Sequence, residues 1–205
     1  GAGRGELVPL AAEHGAKWAI GVEYSPAAAR LAVQAIAPLD IANRDTVVLA
    51  DARRLPLPDQ CVDIAFMIDV IEHLSPAELS STFEEAYRVL RPGGRLFAHT
   101  FPTRTIYDVT YRGLRAVARL RGQRWPVDPR NDYEHRMHVY EQTRSDLRRS
   151  LNEAGFRSAE VQFGQWIHTE FVPSARGKAV YERLARHRLT APLAVADLWV
   201  DAKKP

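Results

Sequence analysis

The amino-acid sequence predicts an α/β domain built on a mostly parallel sheet. Short apolar segments typical of strands alternate with segments of helical periodicity over the first hundred residues, which is the order of a parallel sheet with crossover helices. The chain has 205 residues, of which 46% are hydrophobic and 26% are charged. These values suit one globular domain with a sizeable core and argue against a disordered, collagen-like or coiled-coil chain.

Four strands are predicted in the first half of the chain, at residues 17–22, 46–50, 62–68 and 95–101. Ser25 before Pro26 predicts a helix to about residue 35, because serine caps helices and proline suits their first turn. Ser75 and Glu78 form the pattern of a capping box, which opens a helix to about residue 90. The Pro-Gly-Gly sequence at 92–94 is expected to end that helix.

The pattern changes after residue 101. Residues 102–142 are rich in Arg and Tyr and are expected to form an irregular insertion or lid. Regular structure resumes with a helix at 143–154 that Gly155 ends, a strand at 159–167, a helix at 175–187 and a final strand at 194–201.

Charge and cysteine content bound the class of protein. The net charge is +3, and 24 of the 28 basic residues are Arg. The single cysteine, Cys61, excludes an internal disulfide and a cysteine-based zinc site, which fits a reducing compartment. No apolar run of about 18 residues is present to span a membrane. We therefore expect a cytoplasmic protein.

Glycines alternate at the start of the chain. Gly1, Gly3 and Gly5 lead into an apolar helical stretch at 7–13, so their backbone N–H groups can approach a ligand at a helix start. The alternative interpretation is a flexible N-terminal expression scar. Glu23 follows the next predicted strand, where a carboxylate can accept hydrogen bonds from both hydroxyls of a ribose. The pattern favours a ligand that contains a nucleoside.

Two nucleoside cofactors compete for this pattern. The dinucleotide fingerprint needs a third glycine at position 6, which is Glu6. A short-chain dehydrogenase is also expected to carry Tyr-x-x-x-Lys, and none of the four lysines has a tyrosine four residues before it. An NAD-dependent dehydrogenase is therefore the lesser alternative.

Five segments together resemble the class I S-adenosylmethionine-dependent methyltransferases of the small-molecule type. They are GAGRGE at 1–6, GVEYS around Glu23, the Ala50-Asp51-Ala52 step, DIAFMIDVIEHL at 63–74 and RVLRPGGRLF at 88–97. The resemblance covers residues 1–101 well and 143–202 loosely. It implies a Rossmann-like, doubly wound, mostly parallel seven-stranded sheet of order 3-2-1-4-5-7-6, with the last strand antiparallel.

The resemblance also implies how S-adenosylmethionine binds. The glycine loop wraps the methionine part, an acid holds the ribose, a second acid with the next backbone amide faces the adenine, and a third acid lies beside the amino-acid end. In this order the residues are Gly1, Gly3 and Gly5, then Glu23, then Asp51 with Ala52, then Asp69.

The family's first strand should precede Gly1, and we expect the sequence to be a fragment that lacks it. The expected organisation is a single domain over 1–205. Residues 1–101 form the cofactor-binding half, 102–142 the insertion or lid, and 143–205 the C-terminal helix and strand part.

Histidines are the candidates for acid–base chemistry. If the acceptor is a hydroxyl, His73 after the fourth strand is the preferred general base, although the Glu72-His73 pair could instead be a helix-entry contact. His99 is either a core residue or part of the active site. His135 and His138 lie in a substrate pocket or a polar loop, and their spacing lacks a three-ligand pattern, so no metal is expected.

The acceptor pocket is expected near Asp69, His73 and Phe101, above the carboxyl ends of the fourth and fifth strands. Residues 67–70 read Met-Ile-Asp-Val and lack the Pro-Pro-aromatic pattern of the DNA adenine methyltransferases, so no nucleic-acid partner is expected. We expect methyl transfer to a small-molecule, sugar or lipid-linked acceptor, at oxygen. The alternative is a catalytically silent domain that binds the cofactor or a partner.

Residues 104–124 form a basic segment with six arginines and one acid, Asp108. At 100° per residue one side is mainly apolar and the opposite side carries arginine. We first expect a surface helix that packs its apolar side on the sheet or forms a lid. The alternative is contact with an anionic acceptor or an acidic membrane surface. The apolar side is Ile106, Val109, Thr110, Gly113, Val117 and Leu120; the opposite side is Arg104, Arg112, Arg115 and Arg119.

Overall fold

The computed structural model describes residues 1–39, 46–167, 172, 174–187 and 189–205. The strands are β1 (Ile20–Glu23), β2 (Thr46–Leu49), β3 (Val62–Ile68), β4 (Leu90–Thr100), β5 (Glu160–Phe163) and β6 (Leu198–Lys203). The helices are α1 (Leu7–Glu13), α2 (Pro26–Ile36), α3 (Pro76–Val89), α4 (Arg112–Leu120), α5 (Asp132–Met137), α6 (Arg144–Glu153) and α7 (Ala175–Ala185). A π-helical turn spans Ile106–Tyr111, and 3₁₀ turns span Ile71–His73 and Ala191–Leu193. None of the helices in these ranges is both long and apolar enough to cross a membrane.

The described strands form two sheets. β1 pairs with β2 in parallel, and the second sheet has the order β3-β4-β6-β5. β3 and β4 are parallel, whereas β6 is antiparallel to both of its neighbours. Numbered as strands 2 to 7 of the expected order, the two sheets read 3-2 and 4-5-7-6. The predicted order is confirmed for strands 3-2 and 4-5-7-6, which are the strands on either side of the position that the resemblance assigns to strand 1. The antiparallel last strand is also confirmed.

The main core lies between the four-stranded sheet and two helices. α3 and α6 pack on one face of β3, β4 and β6, where the largest fully buried side chains include Phe83, Phe156 and Leu147. A smaller core joins the two-stranded sheet to the helices beside it, around Ala32 and Val8. The larger core fixes the carboxyl ends of β3 and β4, where polar side chains gather.

The helix starts follow the sequence. Ser25 caps α2, and Ser75 and Glu78 form both hydrogen bonds of the capping box at α3. The end of α3 differs from the prediction, because residues 92–94 lie within β4 and not after the helix. Here the pairing shifts from Val62↔Leu90 to Ile64↔Arg95, so the Pro-Gly-Gly sequence forms a bulge in the strand, a position that tolerates proline and glycine.

The expectation that residues 102–142 are irregular is wrong, since this segment contains the π-helical turn, α4 and α5. The basic helix is present, but its predicted apolar side does not pack on the sheet as a whole. Ile106 is buried, whereas Val109 and Val117 are exposed and Leu120 is 88% exposed. A π-helical turn contains more residues than an α-helical turn, so a projection at 100° per residue loses its phase there.

Different residues of this segment face the protein. Tyr107, Tyr111 and Ala118 are buried. Arg104 also departs from the predicted solvent face, because its guanidinium donates to Tyr140 and lies 2.9 Å from Asp146. The exposed surface of α4 therefore combines apolar and basic side chains.

Candidate active site

The glycine loop is shaped by two residues with positive φ. Gly3 has φ 57° and Gly5 has φ 82°, in the region that favours glycine. A Cβ at Gly5 would also stand 3.0 Å from Cβ of Ala32 in α2. The backbone N–H of Ala2 donates to the carbonyl of Val22, which fastens the loop to the end of β1. Glycine at positions 3 and 5 is thus needed for the loop to lie against the helix and the strand.

Glu23 ends β1 and organises this loop. The carboxylate is 8% exposed and accepts hydrogen bonds from the backbone N–H of Gly3 at 2.7 Å and of Ser25 at 2.8 Å. The two bonds use different oxygens, and a carboxylate offers about four acceptor positions. Glu23 therefore keeps acceptor capacity for two ribose hydroxyls while it holds the loop, and this residue fits the predicted cofactor.

Asp51 and Ala52 follow β2 at the same edge, where the backbone N–H of Ala50 donates to the carbonyl of Glu23. Both oxygens of Asp51 accept hydrogen bonds from Arg53, which lower the pKa of this carboxyl below its ordinary value. Arg53 also pairs with Glu78 at 2.5 Å. Asp51 is thus an ionised acceptor at the predicted adenine position, held in place by an arginine that the sequence did not single out.

Asp69 lies where β3 ends, beside the glycine loop. Its φ of 53° is uncommon for a residue other than glycine. The next residue, Val70, touches the loop, because a Cβ on Gly1 would stand 2.9 Å from Cγ2 of Val70. Oδ1 of Asp69 accepts a 2.5 Å hydrogen bond from Nδ1 of His99 in β4. Asp69 therefore connects the predicted cofactor site to the next strand.

His99 is enclosed by two carboxylates. Nδ1 faces Asp69, and Nε2 lies 3.4 Å from Oδ2 of Asp197. Burial opposes the positive charge, but the hydrogen bonds and attraction of Asp197 and Asp69 outweigh it and raise the pKa of His99. Because carboxylates only accept, a ring that donates from both nitrogens to Asp69 and Asp197 is the imidazolium form, and this arrangement favours that form. A protonated His99 cannot serve as a general base.

Asp197 was missed by the sequence analysis. It lies in the middle of the predicted strand 194–201, which begins only at Leu198 in the structure. Oδ1 of Asp197 accepts from the backbone N–H of Trp166 at 2.7 Å, and Oδ2 accepts from Nε1 of Trp199 at 3.1 Å. The carbonyl of Asp197 also accepts from the backbone N–H of Gly164, so this residue holds the chain that follows β5.

A cavity of about 670 Å³ opens beside His99 and Asp197. Trp166 and Trp199 are 61% and 47% exposed, so both indoles present apolar surface to a ligand. The ring of Phe101 lies 5.5 Å from that of Trp166, near the predicted acceptor pocket. His73 is not among the lining residues, which are His99, Phe163, Gly164, Gln165, Trp166, Asp197 and Trp199.

His73 belongs to a second group of titratable residues. Its Nδ1 lies 2.7 Å from the carbonyl oxygen of Met137, and its ring centroid is 5.4 Å from that of His138. Glu72 is 3% exposed, accepts from Thr100 Oγ1 at 2.8 Å, and has a pKa raised by burial. Burial and the neighbouring His73 lower the pKa of His138.

His135 stands apart from this group. The side chain is exposed, and its Nε2 lies 3.7 Å from Asp128. The structure thus brings His73 and His138 together and separates His135 from both. The signal for Glu72 in the sequence was its position before His73, whereas nothing local links either residue to His138.

The sheet order, the glycine loop and the acids at the strand ends define a class I methyltransferase fold. Residues 1–98 match the methyltransferase domain family. The match covers 98 of the 205 residues, and this part of the chain resembles a methyltransferase domain, which indicates S-adenosylmethionine as the cofactor.

Two curated relatives each match just over half of the chain. The sterol 4-C-methyltransferase strm-1 of Caenorhabditis elegans is 30% identical over 108 residues, which are 53% of this chain and 31% of that protein. A malonyl-[acyl-carrier protein] O-methyltransferase of Geobacter sulfurreducens is 36% identical over 115 residues, 56% of this chain and 39% of that protein. This chain thus spans less than two fifths of the length of either curated relative.

A solved geranyl diphosphate methyltransferase in complex with S-adenosylmethionine has a similar fold. The TM-score is 0.67 at 14% identity, and the similarity covers 100% of this chain and 76% of that chain. At this identity, the likeness shows the fold.

Proposed function

We propose that this protein transfers the methyl group of S-adenosylmethionine to a small-molecule, sugar or lipid-linked acceptor, at oxygen. The observation that carries the proposal is the link between two sites. Gly1 touches Val70, Asp69 bonds to His99, and His99 lines the 670 Å³ cavity. A cofactor in the glycine loop would therefore lie next to a cavity large enough for an acceptor.

The residues of the chain fit the cofactor by position and acceptor capacity. Gly1, Gly3 and Gly5 would surround its methionine part, Glu23 its ribose, Asp51 with Ala52 its adenine, and Asp69 its amino-acid end. When bound, S-adenosylmethionine supplies a sulfonium methyl group that an acceptor displaces in line. The protein's task is to hold the acceptor in attack geometry and exclude water. The indoles of Trp166 and Trp199 are suited to excluding water.

His73 is the proposed general base. A carbonyl oxygen only accepts, so Nδ1 of His73 must carry the proton that it donates to Met137. This tautomer leaves the Nε2 lone pair available to take a proton from an acceptor hydroxyl. His73 does not line the cavity. The proposed acceptor therefore extends from the cavity over the carboxyl ends of β3 and β4 to reach His73.

The acceptor class draws support from relatives and from charge. The two curated relatives are named for a sterol and for a malonyl group on acyl-carrier protein. Exposed arginines and apolar residues share α4. We propose that α4 and the residues up to Arg124 make a peripheral contact with an anionic membrane surface on its cytoplasmic side.

Calorimetry and a product assay test the proposal in two steps. Titration of the protein with S-adenosylmethionine measures binding, and formation of S-adenosylhomocysteine in the presence of pooled hydroxyl, sterol and acyl-thioester acceptors measures turnover. Binding with turnover supports the enzyme. Binding without turnover on any acceptor would favour the catalytically silent domain, and binding of NAD alone would favour the dehydrogenase.

A further inference from the structure

Three potential metal ligands meet beside the end of β3. One ligand atom each from Glu72, His73 and His138 lies within 4.8 Å of those of the other two. Glu72 is buried and the two histidines are half-buried. None of the three is a lining residue of the 670 Å³ cavity.

Backbone hydrogen bonds hold the group together across a long stretch of sequence. The N–H groups of Val139 and Tyr140 donate to the carbonyl of Glu72, at 2.9 Å and 3.2 Å. His73 donates from Nδ1 to the carbonyl of Met137, 64 residues away. The segment after α5 is therefore docked on the turn after β3, and His138 lies at the centre of this contact.

The hydrogen bonds of the group also resemble those around a metal ion. Metal-binding histidines commonly donate their second nitrogen to a carbonyl or carboxylate, which fixes the ring and presents the other nitrogen. Met137 plays that part for His73, and Thr100 holds one oxygen of Glu72. One imidazole nitrogen and the second carboxylate oxygen remain to bind a ligand.

His138 supplies an independent observation. Its Nδ1 is buried and has no hydrogen-bond partner among the described residues. A buried polar atom without a partner costs free energy. A metal–nitrogen bond is one interaction that would satisfy the imidazole of His138.

We propose that Glu72, His73 and His138 bind a divalent transition-metal ion of the Zn²⁺ class. Two imidazoles and one carboxylate form a known catalytic ligand set, with bonds of about 2.0 to 2.2 Å and an open fourth position. Such bonds hold the ligand atoms about 3 to 3.5 Å apart, so side-chain rotations close the observed spacing. Mg²⁺, which prefers oxygen ligands, is excluded by the two imidazoles.

The site deepens the proposed function, on which its chemical role rests. An acceptor hydroxyl at the open position would have a lower pKa, and its proton would pass to water. With the ion bound, Nε2 of His73 is a metal ligand, so the metal-bound state replaces the general-base role proposed above for His73 in the metal-free protein. Ion binding itself is measured without cofactor or acceptor, so its failure leaves methyl transfer intact as a proposal.

The test measures metal binding to protein that carries no histidine tag. After treatment with a chelator and its removal, Zn²⁺ is titrated by calorimetry, and metal content is determined after dialysis. We expect one equivalent of Zn²⁺ per chain and no comparable binding of Mg²⁺. His138→Asn and Glu72→Gln should each reduce Zn²⁺ affinity at least tenfold. Co²⁺ adds a spectroscopic readout, since its visible absorption reports imidazole ligation.

His135→Asn is the matched control, because it removes an exposed histidine from α5, the helix just before His138. The control should bind Zn²⁺ like the unaltered protein. Thermal melting and S-adenosylmethionine binding establish that each variant is folded. Two results would overturn the assignment. One is Zn²⁺ binding by folded His138→Asn that is as tight as binding by the His135→Asn control, and the other is no Zn²⁺ binding by the unaltered protein.

Discussion

The backbone N–H of Gly3 donates a 2.7 Å hydrogen bond to Oε2 of Glu23, across 20 residues of sequence. One carboxylate thus fixes the left-handed turn of the glycine loop and, through Ser25, the start of α2. The same side chain is the proposed ribose ligand. Cofactor affinity and loop conformation are therefore coupled at Glu23.

Glu23→Ala should weaken S-adenosylmethionine binding about ten- to a hundredfold. The variant removes hydrogen bonds to a charged group, worth about 1.5 to 3 kcal/mol. Calorimetric titration measures the change. Glu6→Ala is the control, because Glu6 is exposed and its carboxylate pairs with Arg4. Equal affinity of Glu23→Ala and the unaltered protein would remove Glu23 from the cofactor site.

The strands and helix caps could be predicted because their signals are local. Alternating and apolar runs mark β3, and Ser75 with Glu78 marks the start of α3. The strand order came from the family resemblance, and the pairing bears it out. The side of α4 that packs on the protein could not be predicted, because the π-helical turn before it shifts every later residue around the helix axis.

The candidate site was predictable where one segment supplies it. Gly3, Gly5 and Glu23 follow a regular spacing around one strand. Asp197 contacts Trp166, which follows β5, and His99, which lies in β4. No spacing in the sequence reveals these contacts. The approach of His138 to Glu72 likewise depends on backbone hydrogen bonds formed only in the folded chain.

His73→Gln should reduce the methyl-transfer rate about 10²- to 10⁴-fold if His73 is the base, which is the usual contribution of general-base catalysis. Glutamine can still donate to Met137 but cannot take the proton of a hydroxyl. His14→Gln, at the exposed end of α1, is the control. An unaltered rate and pH profile would mean that another group, or none, acts as the base.

His99 should make folding stability depend on pH in a defined direction. Its pKa in the folded protein is raised, so the folded state binds the proton more tightly than the unfolded state. The contribution of His99 to the free energy of unfolding is therefore complete below the ordinary histidine pKa of about 6.5 and is lost as pH rises through the raised value. Urea unfolding from pH 5 to 9 measures it.

The variant for this measurement is His99→Gln. The difference in unfolding free energy between the unaltered protein and His99→Gln should be largest at acid pH and shrink as the pH rises. His14→Gln, at the exposed end of α1, is the control for a histidine-to-glutamine substitution away from this cluster. A difference that is constant or grows with pH would contradict the proposed imidazolium between Asp69 and Asp197.

The last prediction is that the protein binds anionic membranes through α4. Leu120 is 88% exposed, and Val117 is exposed one turn before it, so both can enter the boundary of a lipid layer without a change in the core. Arg119 and Arg121 are exposed beside Leu120, and neither forms an ion pair with a described residue. Each basic side chain near an anionic surface contributes about 1 kcal/mol. The protein should sediment with phosphatidylglycerol vesicles at low salt, less so at high salt, and not with phosphatidylcholine alone.

Two changes separate the apolar and electrostatic contributions of this helix. Arg119→Glu with Arg121→Glu should weaken vesicle binding at least tenfold, whereas Arg148→Glu with Arg157→Glu, also two charge reversals at exposed positions, should have a smaller effect. Leu120→Ser should weaken binding about threefold to tenfold at any salt concentration, because burial of a leucine side chain contributes about 1.5 kcal/mol or less at partial depth. Val180→Ser, at an exposed apolar position of α7, is its control. If the unaltered protein stays in the supernatant with anionic vesicles at low salt, α4 does not bind membranes, and its arginines remain available only to a soluble anionic acceptor.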